Sequence, residues 1–124
     1  MADRNFWDGK YPQAIEDYET YLKNYPQSEF KDRVLFNLGL SHALRTKPSR
    51  NLPVAKTTLK QLVADFPQSR YKDQAELILG FLAQVEQLNL DVKTRDSKID
   101  GLQEELDRLK EIDLKSRPSS PKEQ

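Results

Sequence analysis

The octapeptide Tyr25-Pro26-Gln27-Ser28-Glu29-Phe30-Lys31-Asp32 returns, nearly unchanged, as Phe66-Pro67-Gln68-Ser69-Arg70-Tyr71-Lys72-Asp73, a shift of 41 positions. The same shift lays Pro12 on Pro53, Ala14 on Ala55, and Leu38-Gly39 on Leu79-Gly80. Apolar character persists between Tyr18 and Leu59 and between Leu22 and Val63. A fixed period in this range marks stacked supersecondary units, none of which can bury its apolar face alone.

Each unit reads as helix, turn, helix. Pro12 and Pro53 suit the first helical turn, where a missing N–H is no loss. Ala14, Ile15, Tyr18, Leu22 and then Ala55, Leu59, Leu62, Val63 follow at helical spacing. Pro26 and Pro67 end those helices, because a proline disfavours the α conformation in the residue before it. Ser28 and Ser69 are expected to cap the helices that follow. Gly39 and Gly80 sit inside helical patterns, where glycine costs ~1 kcal/mol relative to alanine; close approach of a neighbouring helix is the expected return. The octapeptide is therefore a turn signal between helices.

The series Gly9-x-Tyr11-x-x-Ala14-x-x-x-Tyr18 followed by Pro26 resembles the second half of a tetratricopeptide repeat. Leu38-Gly39-x-x-His42, then Ala55-x-x-x-Leu59 and Pro67, resembles a complete one, with His42 where that family favours tyrosine. The usual repeat is about 34 residues long. The surplus falls in the Pro-Gln-Ser turn and in the hairpin around Lys47-Pro48-Ser49-Arg50. The aromatic-Pro-x-Ser-x-aromatic turn is similar to that of bacterial cell-envelope repeat proteins of the BamD and CpoB type. The family's upstream half is missing before Gly9, so the first repeat looks truncated. The resemblance implies an all-α solenoid of antiparallel helix pairs, about five helices in all, with residues 1–88 as the repeat domain.

From Tyr71 to about Ser116 the chain has no proline. One long helix is expected over 71–116, with 117–124 disordered. Its first part should cap the repeats through Leu77, Ile78, Phe81 and Val85. Apolar residues then recur in heptads, with Val85, Val92, Ile99 and Leu106 at a, and Leu88, Leu102 and Leu109 at d. Arg95 interrupts the d positions. The pattern is that of a parallel homodimeric coiled coil through residues 85–112. The alternatives are a helix folded back on its own domain, or one that stays frayed until a partner arrives.

Catalytic, metal and cofactor chemistry find no foothold. The absence of cysteine excludes a disulfide framework, a thiolate metal site and a cysteine nucleophile. His42 is the only histidine and reads as a satisfied packing residue. No nucleophile elbow or phosphate-cradling glycine loop is present. Trp7 and Phe6 read as a lid on the first helix pair, with an exposed aromatic docking point as the alternative. Twenty basic residues balance twenty acidic ones, which provides no field for nucleic acid. No run approaches the ~20 apolar residues of a membrane span, so direct membrane insertion is not expected.

What remains is protein recognition. Carried over from the repeat family, the groove would be lined by Arg33, Phe36, Asn37 and Leu40, continued by Gln74, Leu77 and Phe81. A protein or peptide partner of apolar or mixed character fits that lining. The resemblance implies a scaffold or adaptor in the periplasm, associated with the outer membrane and possessing a signal or lipid anchor outside this chain. An oligomerisation element built on the coiled coil is the alternative. A third expectation, an accessory lipoprotein of a sensor-kinase system, rests on the tail LKEIDLKSRPSSP, which is similar to that of QseG-type lipoproteins.

Overall fold

The computed structural model describes residues 2–46 and 50–116, and it is all-α. Five helices follow one another: α1 (Ala2–Trp7), α2 (Tyr11–Asn24), α3 (Lys31–Leu44), α4 (Leu52–Asp65) and α5 (Lys72–Ser116). Pro12 and Pro53 occupy the first turns of α2 and α4 as the sequence predicts. Gly9 adopts a left-handed φ of 77° between α1 and α2, a conformation open to glycine at little cost. Upstream of Gly9, α1 stands where the truncated repeat half was expected. The Lys47–Ser49 part of the α3–α4 hairpin and the 117–124 tail, on which the sensor-kinase likeness partly rests, lie outside the described residues.

The two copies of the turn are built alike. Ser28 and Ser69 N–H groups donate to the carbonyls of Tyr25 and Phe66 at 3.1 and 3.0 Å. Their hydroxyls accept the N–H of Phe30 and Tyr71, both at 3.0 Å. The serines thus cap a tight turn, and regular helix starts only at Lys31 and Lys72. Phe30, the residue that flanks α3, offers no side-chain cap. A further bond explains why the motif is written twice: Ser69 Oγ donates to Asp32 Oδ2 at 2.6 Å, tying the second turn to the first.

The chain divides into two compact units between Gln84 and Val85. In the first, two core clusters follow the two helix pairs. Phe6, Ala14, Ile15, Tyr18, Val34 and Leu38 form one; Leu35, Phe36, Leu59, Leu62 and Ala75 form the other. Ala14 and Ala55 are both fully buried, so the repeated small residue serves the same purpose twice. Each fully buried leucine contributes about 1.5–3 kcal/mol through loss of apolar surface to water. Gly39 behaves as its position implies: a Cβ there would lie 2.8 Å from Leu59 Cγ, so α4 crosses α3 where the side chain is absent.

The second repeat departs from this pattern. A Cβ at Gly80 would meet nothing within 4 Å, so the expected close approach does not occur. The reason is topological, since no helix of the first unit follows α5 to play the part that α4 plays for α3. Of the four α5 residues expected to pack on the core, only Ile78 does so. Ala75, with Ile78, Leu79 and Leu82, faces the second cluster, whereas Leu77, Phe81 and Val85 are 60%, 55% and 39% exposed.

The second unit is the helical stretch from Val85 to Ser116, in which the heptad residues are exposed. Gln87 Nε2 donates to Asp91 Oδ1 at 3.0 Å and Gln103 Nε2 to Asp107 Oδ1 at 3.2 Å, both one helical turn apart.

Candidate functional site

A cleft of about 390 Å³ opens between α1, α3 and the start of α5. Arg33, Phe36, Asn37, Leu40 and Gln74 line it, together with Asp3, Phe6, Trp7 and Tyr71. Five of the seven groove residues named from the sequence are therefore brought together. Leu77 and Phe81 do not line the cleft; they follow Gln74 at helical spacing along α5 and face solvent.

The apolar wall is aromatic. Phe36 stacks on Tyr71 with ring centroids 5.1 Å apart. Phe6 is buried and meets Trp7 edge-on at 5.3 Å, while Trp7 itself is 79% exposed. Phe6 acts as the lid expected of the pair, but Trp7 does not: its indole stands largely in solvent at the cleft edge. Sequence reasoning missed Asp3 and Tyr71 as lining residues, and gave Trp7 as an exposed docking point only as the alternative to a lid. For Tyr71 a signal existed, because the aromatic at the end of each turn lies one turn before the next helix's inner face.

The polar wall is a relay fixed from below. Asn37 Nδ2 donates to the Tyr18 hydroxyl at 3.0 Å, and that hydroxyl donates to Asp3 Oδ1 at 2.6 Å. Asp3 Oδ2 then pairs with Arg33 Nη2 at 3.2 Å. Burial, and next the bond to Asp3, raise the Tyr18 phenol above its usual range, so it stays protonated and holds Asp3 in place. The guanidinium also lies 5.0 Å from the centre of the Phe30 ring. Its Nε is buried and has no hydrogen-bond partner among the described residues. The Asp3–Arg33 pair is partly exposed and is worth at most about 1 kcal/mol. Its role is to orient the Arg33 side chain at the cleft edge.

His42 lies away from this wall, buried at the end of α3. Contrary to expectation it is not satisfied: neither ring nitrogen has a partner among the described residues. Desolvation lowers its pKa, so the neutral ring is favoured. Among the described residues no group of three or more acidic, histidine or cysteine side chains could hold a metal ion. No helix among the described residues is long and apolar enough to cross a membrane.

The family model YfiO, described as an outer membrane lipoprotein, matches residues 2–98. The chain belongs to this family. The match covers the whole of the first unit and the first part of the second, which agrees with the BamD-type resemblance of the repeated turn. No curated protein and no solved structure gives a significant match.

Proposed function

We propose that this chain is a non-enzymatic adaptor of the bacterial envelope, which docks a peptide or helix of a partner protein in the cleft between α1, α3 and α5. Membership of an outer membrane lipoprotein family supports the periplasmic, membrane-associated setting. The observation that carries the reading is Trp7, a large aromatic 79% exposed at the edge of an aromatic-lined cleft. Exposed aromatics beside a positioned arginine are the usual anchors of protein interfaces. Asn37, Gln74 and Arg33 provide the polar contacts that fix an occupant's direction.

The test uses the chain's single tryptophan as reporter. Peptides selected from a random library on the full chain are titrated while Trp7 emission is followed. Binding that shifts the emission and is lost in Gln74→Arg or Trp7→Ala, the latter read by calorimetry, is the expected result. Peptides that bind these variants as well as the parent overturn the reading.

A second reading, self-assembly, is favoured by the exposed heptads of the second unit. Val85, Leu88, Val92, Ile99, Leu102, Leu106 and Leu109 repeat at a and d, each between 39% and 61% exposed. In a parallel pair, Glu105 attracts Lys110 of the other helix, and Asp91 repels Asp96. The antiparallel pair that sets Val85 against Leu109 and Val92 against Leu102 does worse. It opposes Asp91 to Glu105, Lys98 to Lys98 and Asp96 to Asp96. Charge therefore selects the parallel homodimer. Sedimentation of the full chain and of Leu102→Lys tests it, and a monomer in both refutes it.

A further inference from the structure

The 41-residue repeat makes α5 the counterpart of α3, and α3 is covered by a helix that α5 lacks within the first unit. On α3, Gly39 lets Leu59 and Ala55 of α4 approach directly: a Cβ would lie 2.8 Å from Leu59 and 3.5 Å from the Ala55 carbonyl oxygen. Leu35, one turn earlier, is buried in the same cluster as Leu59 and Leu62. The corresponding positions on α5 are Gly80 and Glu76, both exposed, and the space above Gly80 is open. The turn repeats this half-built state. Asp32 accepts the Ser69 hydroxyl that follows α4; its counterpart Asp73 stands exposed in the first turn of α5. Glycine at an exposed mid-helix position lowers helix stability, and here nothing within the chain's first unit makes use of the gap.

We propose that the Gly80 face of α5 is a docking site for an amphipathic α-helix of a partner protein, seated on α5 as α4 is seated on α3. The surface continues an interface that the fold has already built once, and this specifies the occupant. A small residue and a leucine four positions later lie against Gly80. Because Glu76 replaces the buried Leu35, the position matching Leu62 carries a lysine or arginine in place of the leucine. The occupant thus reads Ala-x-x-x-Leu-x-x-Lys/Arg. This site is distinct from the Trp7 cleft and does not depend on it.

The probe is a fluorescein-labelled peptide with the sequence of residues 51–69, lysine in place of Leu62, and a hydrocarbon staple on its solvent face to keep it helical. Anisotropy is measured with the full chain. Saturable binding is expected, weakened about tenfold or more by Gly80→Leu, which fills the gap. Glu76→Lys should weaken it too, and a peptide with glutamate at the Leu62 position should restore binding to that variant. Trp7→Ala should leave it unchanged, so failure of the cleft reading would not be mistaken for failure here. Unchanged far-UV circular dichroism shows that Gly80→Leu is folded. Absence of saturable binding, or equal binding to parent and Gly80→Leu, overturns the proposal. Concentration-dependent self-association abolished by Gly80→Leu also overturns it, by assigning the face to a second copy.

Discussion

Replacing each of the two equivalent glycines by alanine should change stability in opposite directions. At Gly80 the added methyl enters open space, so the substitution gains helix propensity and stabilises by about 0.5–1 kcal/mol. At Gly39 the same gain of about 1 kcal/mol is opposed by a contact at 2.8 Å with two carbons of Leu59. Leu59 is fully buried, so it can withdraw only by displacing other core side chains. Overpacking of this kind costs about 1–3 kcal/mol, leaving Gly39→Ala between about neutral and 2 kcal/mol less stable than the parent. For a domain near 100 residues 1 kcal/mol moves Tm by roughly 4–8 °C. Gly80→Ala should therefore melt several degrees above the parent, and Gly39→Ala at or below it. Thermal and urea unfolding followed by far-UV circular dichroism read both. Equal stabilisation by the two substitutions would refute the close α3–α4 crossing, and destabilisation by Gly80→Ala would refute the open face of α5.

Tyr18→Phe removes the hydroxyl that joins Asn37 to Asp3 and leaves both polar groups short of a partner. A loss of about 1–3 kcal/mol is expected in urea unfolding. Ser69→Ala breaks the tie to Asp32 and the cap on Tyr71 N–H together. It should cost about 0.5–2 kcal/mol on the same scale. His42 is neutral and desolvated, with Glu19 opposing and Arg45 reinforcing the fall in its pKa. Its folded pKa lies below the unfolded value of about 6.5, so the unfolded chain binds more protons as pH falls. The stability this contributes is present above pH ~6.5 and lost as pH falls through the folded pKa. Unfolding midpoints between pH 7.5 and 5 should decline, and His42→Leu should flatten that decline; an equal slope in the variant would place the titration elsewhere.

Periodicity and proline placement were enough to read the helices, because both act locally. Pro12, Pro53, Pro26 and Pro67 restrict backbone angles at and beside themselves whatever surrounds them, and the helices start and stop around them. The inner face of the first pair was equally legible, since Ala14, Ile15 and Tyr18 have neighbours on either side in sequence to cover them. Harder to foresee were features that depend on what lies opposite a residue. Phe6 is buried and its neighbour Trp7 exposed, a division that the two adjacent aromatics do not announce. The unpartnered ring nitrogens of His42 among the described residues depend on what packs against the ring, and no periodicity encodes that.

In α5 the repeat and its surroundings part company. Because Leu38-Gly39 and Leu79-Gly80 are identical, the sequence implies identical surroundings. Yet a repeat encodes only one half of each interface, and the other half belongs to whatever comes next. Gly39 has α4 opposite it; Gly80 retains the shape suited to such a neighbour with the space still open. The same holds for Leu77 and Phe81, whose counterparts Phe36 and Leu40 are largely shielded while they themselves stand more than half exposed. Exposing two large apolar side chains beside a helix-weakening glycine brings no stability to the isolated chain. The glycine pair offers a direct way to distinguish the covered face of α3 from the open face of α5.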